Sequence, residues 1–261
     1  LPDMITVETG IGYPGAFARF RIYESHAIMN AMYGPRSIER CEMDFYHRVI
    51  PNYFRPEDFA YSADKDDYVV YIGRIGVNKG VDIAIQATER AGIRLKIAGQ
   101  GSLLDAGYTA VPDHVELVGY CDPEQRRHLL SRARALFIAS RYMEPFAGVQ
   151  VEAFLSGTPV ISPDYAAFAE MNRHNITGFR CRTFKDYVEA VENVQYLLPI
   201  QSRKHGERYL LENIARFKTP SIKSCCSLGS VPTSLTVVLY NLATTLLFFN
   251  SFSNAFFLST A

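Results

Sequence analysis

The chain has no excess of either charge: 27 Lys and Arg stand against 27 Asp and Glu in 261 residues. No overall field draws it to nucleic acid or to an anionic membrane, so a phosphate site must be built locally. Cysteine is scarce. Cys41, Cys121, Cys181, Cys225 and Cys226 form no CxxC pair, and no histidine stands at zinc-ligand spacing. That pattern speaks against a structural metal and for a reducing, cytoplasmic setting. Also missing from the start, Leu1-Pro2-Asp3, are an initiator Met and a charged-then-apolar leader, so the chain is expected to begin inside a longer protein.

With 48% hydrophobic and 21% charged residues, the sequence can bury one large core or two ordinary ones. Between residues 68 and 181 short apolar runs alternate with helix-period segments, the signature of a parallel sheet covered by crossover helices. Residues 68–72 read as a strand ending at Gly73, 81–91 as an amphipathic helix closed by Gly92, and 93–98 as the next strand, stopped by Gly99-Gln100-Gly101. Strands follow at 114–118 and 135–139, separated by a helix over 123–134 entered through Asp122. A short helix over 149–156, capped by Gly157, leads to the apolar run 159–161 and a last strand near Phe179. The fold class expected is α/β, a doubly wound Rossmann-like parallel sheet.

The first 60 residues differ in texture. They are aromatic-rich, with strand-like 4–7 and 48–50 on either side of a helix expected over 22–32. Pro51 and Pro56 bracket a rigid connection that suits neither a helix interior nor a central strand. The domains expected are therefore 1–60, 61–222 and a tail. After Lys223 no charged residue occurs, and 231–249 is apolar enough to be weighed as a membrane anchor, against which stand its recurrent Ser, Thr and Asn and the lack of any basic residue beyond it.

Five pieces stand where such sheets bind ligands, at strand carboxyl ends or the domain junction. They are Val49-Ile50-Pro51-Asn52, Gly73-Arg74-Ile75-Gly76-Val77-Asn78-Lys79-Gly80, Ala98-Gly99-Gln100-Gly101, Val118-Gly119-Tyr120, and the segment from Glu144 through Gly148 to Glu152. In type and order they resemble the retaining family 4 glycosyltransferases (glycosyl transferases group 1), over about residues 1 to 200. The resemblance implies a GT-B donor-binding domain preceded by the last part of an acceptor-side domain. It also implies transfer of a hexose from a nucleoside-diphosphate sugar to a hydroxyl acceptor, with nucleic acid playing no part.

On that resemblance Arg74 and Lys79 hold the donor diphosphate, a role suited to a guanidinium fork and a flexible ammonium. Gly148 and Val149 offer the amides of a helix start to the same group. Glu152 accepts from ribose hydroxyls and Glu144 faces the transferred sugar. Gly99, Gly101 and the turn before Tyr120 let the backbone approach the nucleotide, with Tyr120 beside the base; the same glycines could serve only as turn residues. His26 is a candidate for the acceptor side, although a lone histidine is more often a structural or surface residue. No divalent metal or other cofactor is implied, and no DxD-like motif lies on the ligand rim: Asp64-Lys65-Asp66-Asp67 precedes the first strand of the sheet and reads as a solvated turn. One departure stands out. Ala147 occupies a position where the family usually has glycine, and a positive φ there would strain it.

Two other readings compete. Gly10-Ile11-Gly12-Tyr13-Pro14-Gly15 matches a dinucleotide fingerprint in spacing, but lacks the second strand with a terminal acid that the motif requires. A fragment that binds nucleotide sugar without transferring it, or a scaffold that has lost its ligand, would keep the fold without the chemistry.

Overall fold

The computed structural model describes residues 4–12, 15–40, 47–216, 236–240 and 247–250. Its contacts divide the chain into two compact units, residues 1–52 with 212–261, and residues 53–211.

The second unit holds six parallel strands: β4 (Tyr68–Ile72), β5 (Arg94–Ala98), β6 (Val115–Gly119), β7 (Ala135–Phe137), β8 (Val160–Pro163) and β9 (Gly178–Cys181). Their order is β6-β5-β4-β7-β8-β9. β4 is buried along nearly its whole length, as a strand covered on both faces must be. Alternate residues supply two cores. Val69, Tyr71, Leu95, Ile97 and Phe137 pack on one face against α2 (Val81–Ala91) and α6 (Phe184–Asn193). Tyr68, Val70, Leu136 and Val160 pack on the other against α3 (Pro123–Arg132) and α4 (Gly148–Leu155). α5 (Ala166–Met171) and α7 (Pro199–Gly206) complete the unit.

Most expected elements are present with shifted ends, and the doubly wound sheet is as expected. Local chemistry explains the ends. Asp122 caps α3 through a reciprocal box with Gln125, and Gly92 closes α2 in the left-handed conformation. The fourth expected strand stops at Phe137, after which a single bond from the Ile138 amide to the Ile161 carbonyl continues the pairing. Three helices, α5, α6 and α7, go beyond the expectations, although the Thr183 and Asp186 capping box before α6 is a readable signal.

The first unit contains β1 (Met4–Thr9), β2 (Phe20–Tyr23), α1 (His26–Arg40), β3 (His47–Val49), β10 (Thr236–Tyr240) and β11 (Leu247–Asn250), in the sheet order β11-β10-β1-β2-β3. The helix expected over 22–32 is corrected here. Phe20 to Ile22 pair in parallel with β1 and Tyr23 with β3, and the helix begins only after Ser25, whose hydroxyl accepts from the Ile28 amide. The fingerprint-like glycine run lies between β1 and β2, and a strand follows it at Phe20. The buried Glu8 carboxylate of β1 accepts from the amides of Phe17 and Ala18 in that loop, both at 2.9 Å.

Of the apolar run 231–249, residues 231–235 and 241–246 lie outside the described residues; Thr236–Tyr240 is a strand, as is Leu247–Asn250, which overlaps the end of the run. Among the described residues no helix is long and apolar enough to cross a membrane.

Candidate functional site

β4 and β7 lie side by side at the centre of the sheet, and the chain winds away from them in opposite directions. Open α/β sheets bind ligands beyond the carboxyl ends of their strands at such a reversal. A cleft of about 370 Å³ opens there, lined by Gly73, Arg74, Lys79, Arg126, Ser140, Glu144, Gly148 and Val149 among others. The two strands and their following loops thus bring Arg74, Lys79, Glu144, Gly148 and Val149 to one place.

Each is positioned by an identifiable contact. The buried Tyr71 hydroxyl donates to the Arg74 carbonyl at 2.7 Å and so props the turn after β4. Burial drives that phenol above its ordinary range, with Asp82 and Glu144 adding to the effect, so it stays a donor. The Arg74 guanidinium has no protein partner among the described residues and is exposed at the cleft. Lys79 forms an ion pair with Glu144 and lies 5.2 Å from the centre of the Tyr142 ring.

Behind them, Arg141 grips Asp82 with two bonds of 2.9 and 2.8 Å, while its amide donates to the Asn78 carbonyl at 2.8 Å. The fork ties the loop after β7 to the first turn of α2, and the amide bond ties it to the loop after β4. The guanidinium holds the Asp82 carboxyl below its usual range, mainly by hydrogen bonding.

α4 begins at the cleft without a side-chain cap, and its N-cap residue is Ala147 at φ 57° and ψ 56°. The departure noted in the sequence therefore falls on a left-handed position, where an L-residue is strained by roughly 1–2 kcal/mol. Its methyl is buried in the core beneath α4.

Glu152 lies one turn further along α4, and its carboxylate forms an ion pair with Arg126 of α3. Burial raises the Glu152 carboxyl above its ordinary range, and Arg126 opposes the rise. Arg126 was not singled out from sequence: nothing in Glu124-Gln125-Arg126-Arg127 distinguishes it from its neighbour, whose guanidinium turns instead to the carbonyls of Glu57 and Asp58.

Glu152, Gly99, Gly101 and Tyr120 are not among the residues lining the cleft, which Glu152 adjoins through its partner Arg126. Gly99 has φ 153°, and a Cβ there would stand 1.8 Å from the Gly73 carbonyl oxygen; at Gly101, φ 125°, it would stand 2.6 Å from that of Ile75. The two glycines let the turn after β5 lie against the turn after β4, joined by the bonds Gly73 N to Ala98 O and Ile75 N to Gln100 O. Tyr120 is 74% exposed. His26 is the exposed first residue of α1, in the other unit. The acidic turn before β4 is bound rather than free: Asp66 pairs with Arg132 and Asp67 with Arg134, at the end of β4 opposite the cleft. Among the described residues no three His, Cys, Asp or Glu side chains converge as metal ligands.

Solved GT-B glycosyltransferases share this Rossmann-like parallel-sheet fold. AviGT4, a glycosyltransferase involved in avilamycin A biosynthesis, superposes with a TM-score of 0.65 at 24% identity, covering 78% of this chain and 62% of that one. HepE of Anabaena, solved with UDP and glucose, gives 0.64 at 17% identity, covering 80% and 64%. The sequence pattern of the glycosyl transferases group 1 matches residues 55–209, and the chain belongs to that family. Glycogen synthase of Mycobacterium tuberculosis is 33% identical over 123 residues, 43% of this chain and 30% of the relative. The chain spans about a third of the length of the curated relatives it matches.

Proposed function

We propose that this chain is the donor-binding part of a retaining family 4 glycosyltransferase, which moves a hexose from a nucleoside-diphosphate sugar to a hydroxyl acceptor. The observation that carries the reading is the convergence of Arg74, Lys79 and the uncapped start of α4 on one cleft at the sheet's reversal. Two cations and a helix N-terminus form a site for two linked phosphoryl groups, and they stabilise the charge that grows on a departing diphosphate. We assign that role to the cations and not to a divalent ion, since the acidic turn is engaged with arginines at the other end of the sheet.

In this reading Glu152 accepts from the ribose and Glu144 from the transferred sugar. The solved neighbour that holds UDP and glucose supports a nucleotide and a hexose as the occupants. Residues 61–222 are the donor-binding domain and residues 1–60 derive from the acceptor side. A cytoplasmic setting agrees with the free thiols of Cys121 and Cys181, and the tail after residue 222 is the segment through which a membrane would be met.

Calorimetric titration with UDP, GDP and ADP tests the site. Binding of at least one, with thermal stabilisation by its sugar conjugate, is expected. A folded chain that takes up none of them would be a scaffold, and one that binds without transferring to any acceptor would be an incomplete fragment.

A further inference from the structure

Arg126 is set at the cleft by the first turn of α3, where its amide donates to the Asp122 carbonyl at 2.9 Å. Its side chain lines the cleft and pairs with Glu152, whose side chain is 18% exposed against 37% for the arginine. The arginine's Nε is shut off from solvent and makes no hydrogen bond. A buried guanidinium donor without a partner is costly, and its presence at a ligand cleft is a reason to look for a role beyond packing.

We propose that Arg126 is a positioning residue for ribose recognition: it holds one oxygen of Glu152 and thereby fixes the other as the acceptor for a vicinal diol. The inference rests on the nucleotide-sugar reading and deepens it. Two neighbouring hydroxyls donate most strongly to a carboxylate that is ionised and fixed in direction. Removing the cation takes away the contact that opposes the upward pull of burial on this carboxyl, and any protonation turns one acceptor oxygen into a donor.

Two charged side chains of α7, which packs against α4, are engaged away from Glu152. Arg203 of α7 donates to the Leu155 carbonyl and pairs with Glu207, and His205 of α7 bonds to the Met171 carbonyl. β7 and β8 contribute no ionisable side chain.

The test compares UDP, GDP and ADP with their 2′-deoxy forms, by calorimetry on the full chain and on R126A, R126Q, R126K and E152Q. Wild type should prefer the ribose form by about tenfold. R126A and R126Q should bring the preference within about twofold while still binding both forms, and R126K should restore most of it. R126Q retains much of the side-chain bulk and carries the test if R126A does not fold. Full preference in folded R126A or R126Q overturns the inference alone. Equal loss for both sugar forms reduces Arg126 to a structural role and also overturns it. No binding by the folded wild type overturns the nucleotide reading and the inference with it.

Discussion

Lys79 and Glu144, which follow β4 and β7, meet as an ion pair, so the cation and the acid assigned to different parts of the donor hold each other. A phosphate group must then compete with Glu144 for the ammonium. Lys79→Ala and Arg74→Ala should each weaken nucleoside-diphosphate binding by roughly 1–3 kcal/mol, the worth of a charge-assisted hydrogen bond. Glu144→Gln should free the ammonium and tighten a bare diphosphate by up to ~1 kcal/mol, the scale of a partly exposed pair, while transfer falls. Unchanged affinity in both cation variants would rule out their role.

The Arg141 and Asp82 fork predicts an effect without ligand contact. Its two bonds hold the loop that carries Glu144 to the first turn of α2, just after the turn that carries Lys79. Arg141→Ala should lower stability by about 1–2 kcal/mol in urea unfolding, and Arg141→Lys should recover little, because an ammonium cannot reproduce a bidentate bond. Diphosphate affinity should fall in both. Full rescue by lysine would show that charge alone matters there.

At Ala147 two terms oppose each other. Glycine relieves a left-handed strain of roughly 1–2 kcal/mol but gives up a buried methyl worth ~0.8 kcal/mol and adds backbone freedom to the unfolded chain. Ala147→Gly should therefore lie within about 1 kcal/mol of wild type. Ala147→Val should lose more than about 2 kcal/mol, since a β-branched residue at that φ is a true outlier. Equal melting temperatures for the alanine and valine proteins would refute a left-handed backbone at this position.

Lys65 gives a pH signature. Its ammonium donates to the Ser131 carbonyl at 2.8 Å and to the Thr158 hydroxyl at 2.9 Å, yet burial, with Arg132 adding to it, pushes its pKa down to about 7 from 10.5. In the unfolded chain the amine takes its proton first as pH falls. Its contribution to stability is therefore intact above the unfolded value and is lost as pH falls toward 7. Wild-type stability measured against Lys65→Met should rise between about pH 7 and 10, by at most ~1.4 kcal/mol per pH unit. A flat difference would place the lysine in a water-like setting.

The sequence by itself determined the alternation of strands and helices, because apolar period and the capping signals of Asp122, Gly92 and Gly157 act over a few residues. It also pointed to Arg74, Lys79, Glu144, Gly148 and Val149, since each follows a strand whose end is legible. Only tertiary structure decided which strands would be neighbours, and so which of those residues would share a cleft. The parallel pairing of β2 with β1 displaced only the start of a helix expected from residue 22, and the close backbone approach at Gly99 and Gly101 is a contact between segments some 25 residues apart in the chain. Arg126 and Arg127 are alike in sequence, and the packing of α3 against α4 alone sends one to Glu152 and the other away. Contacts of that kind are energies between distant segments, and no local pattern encodes them.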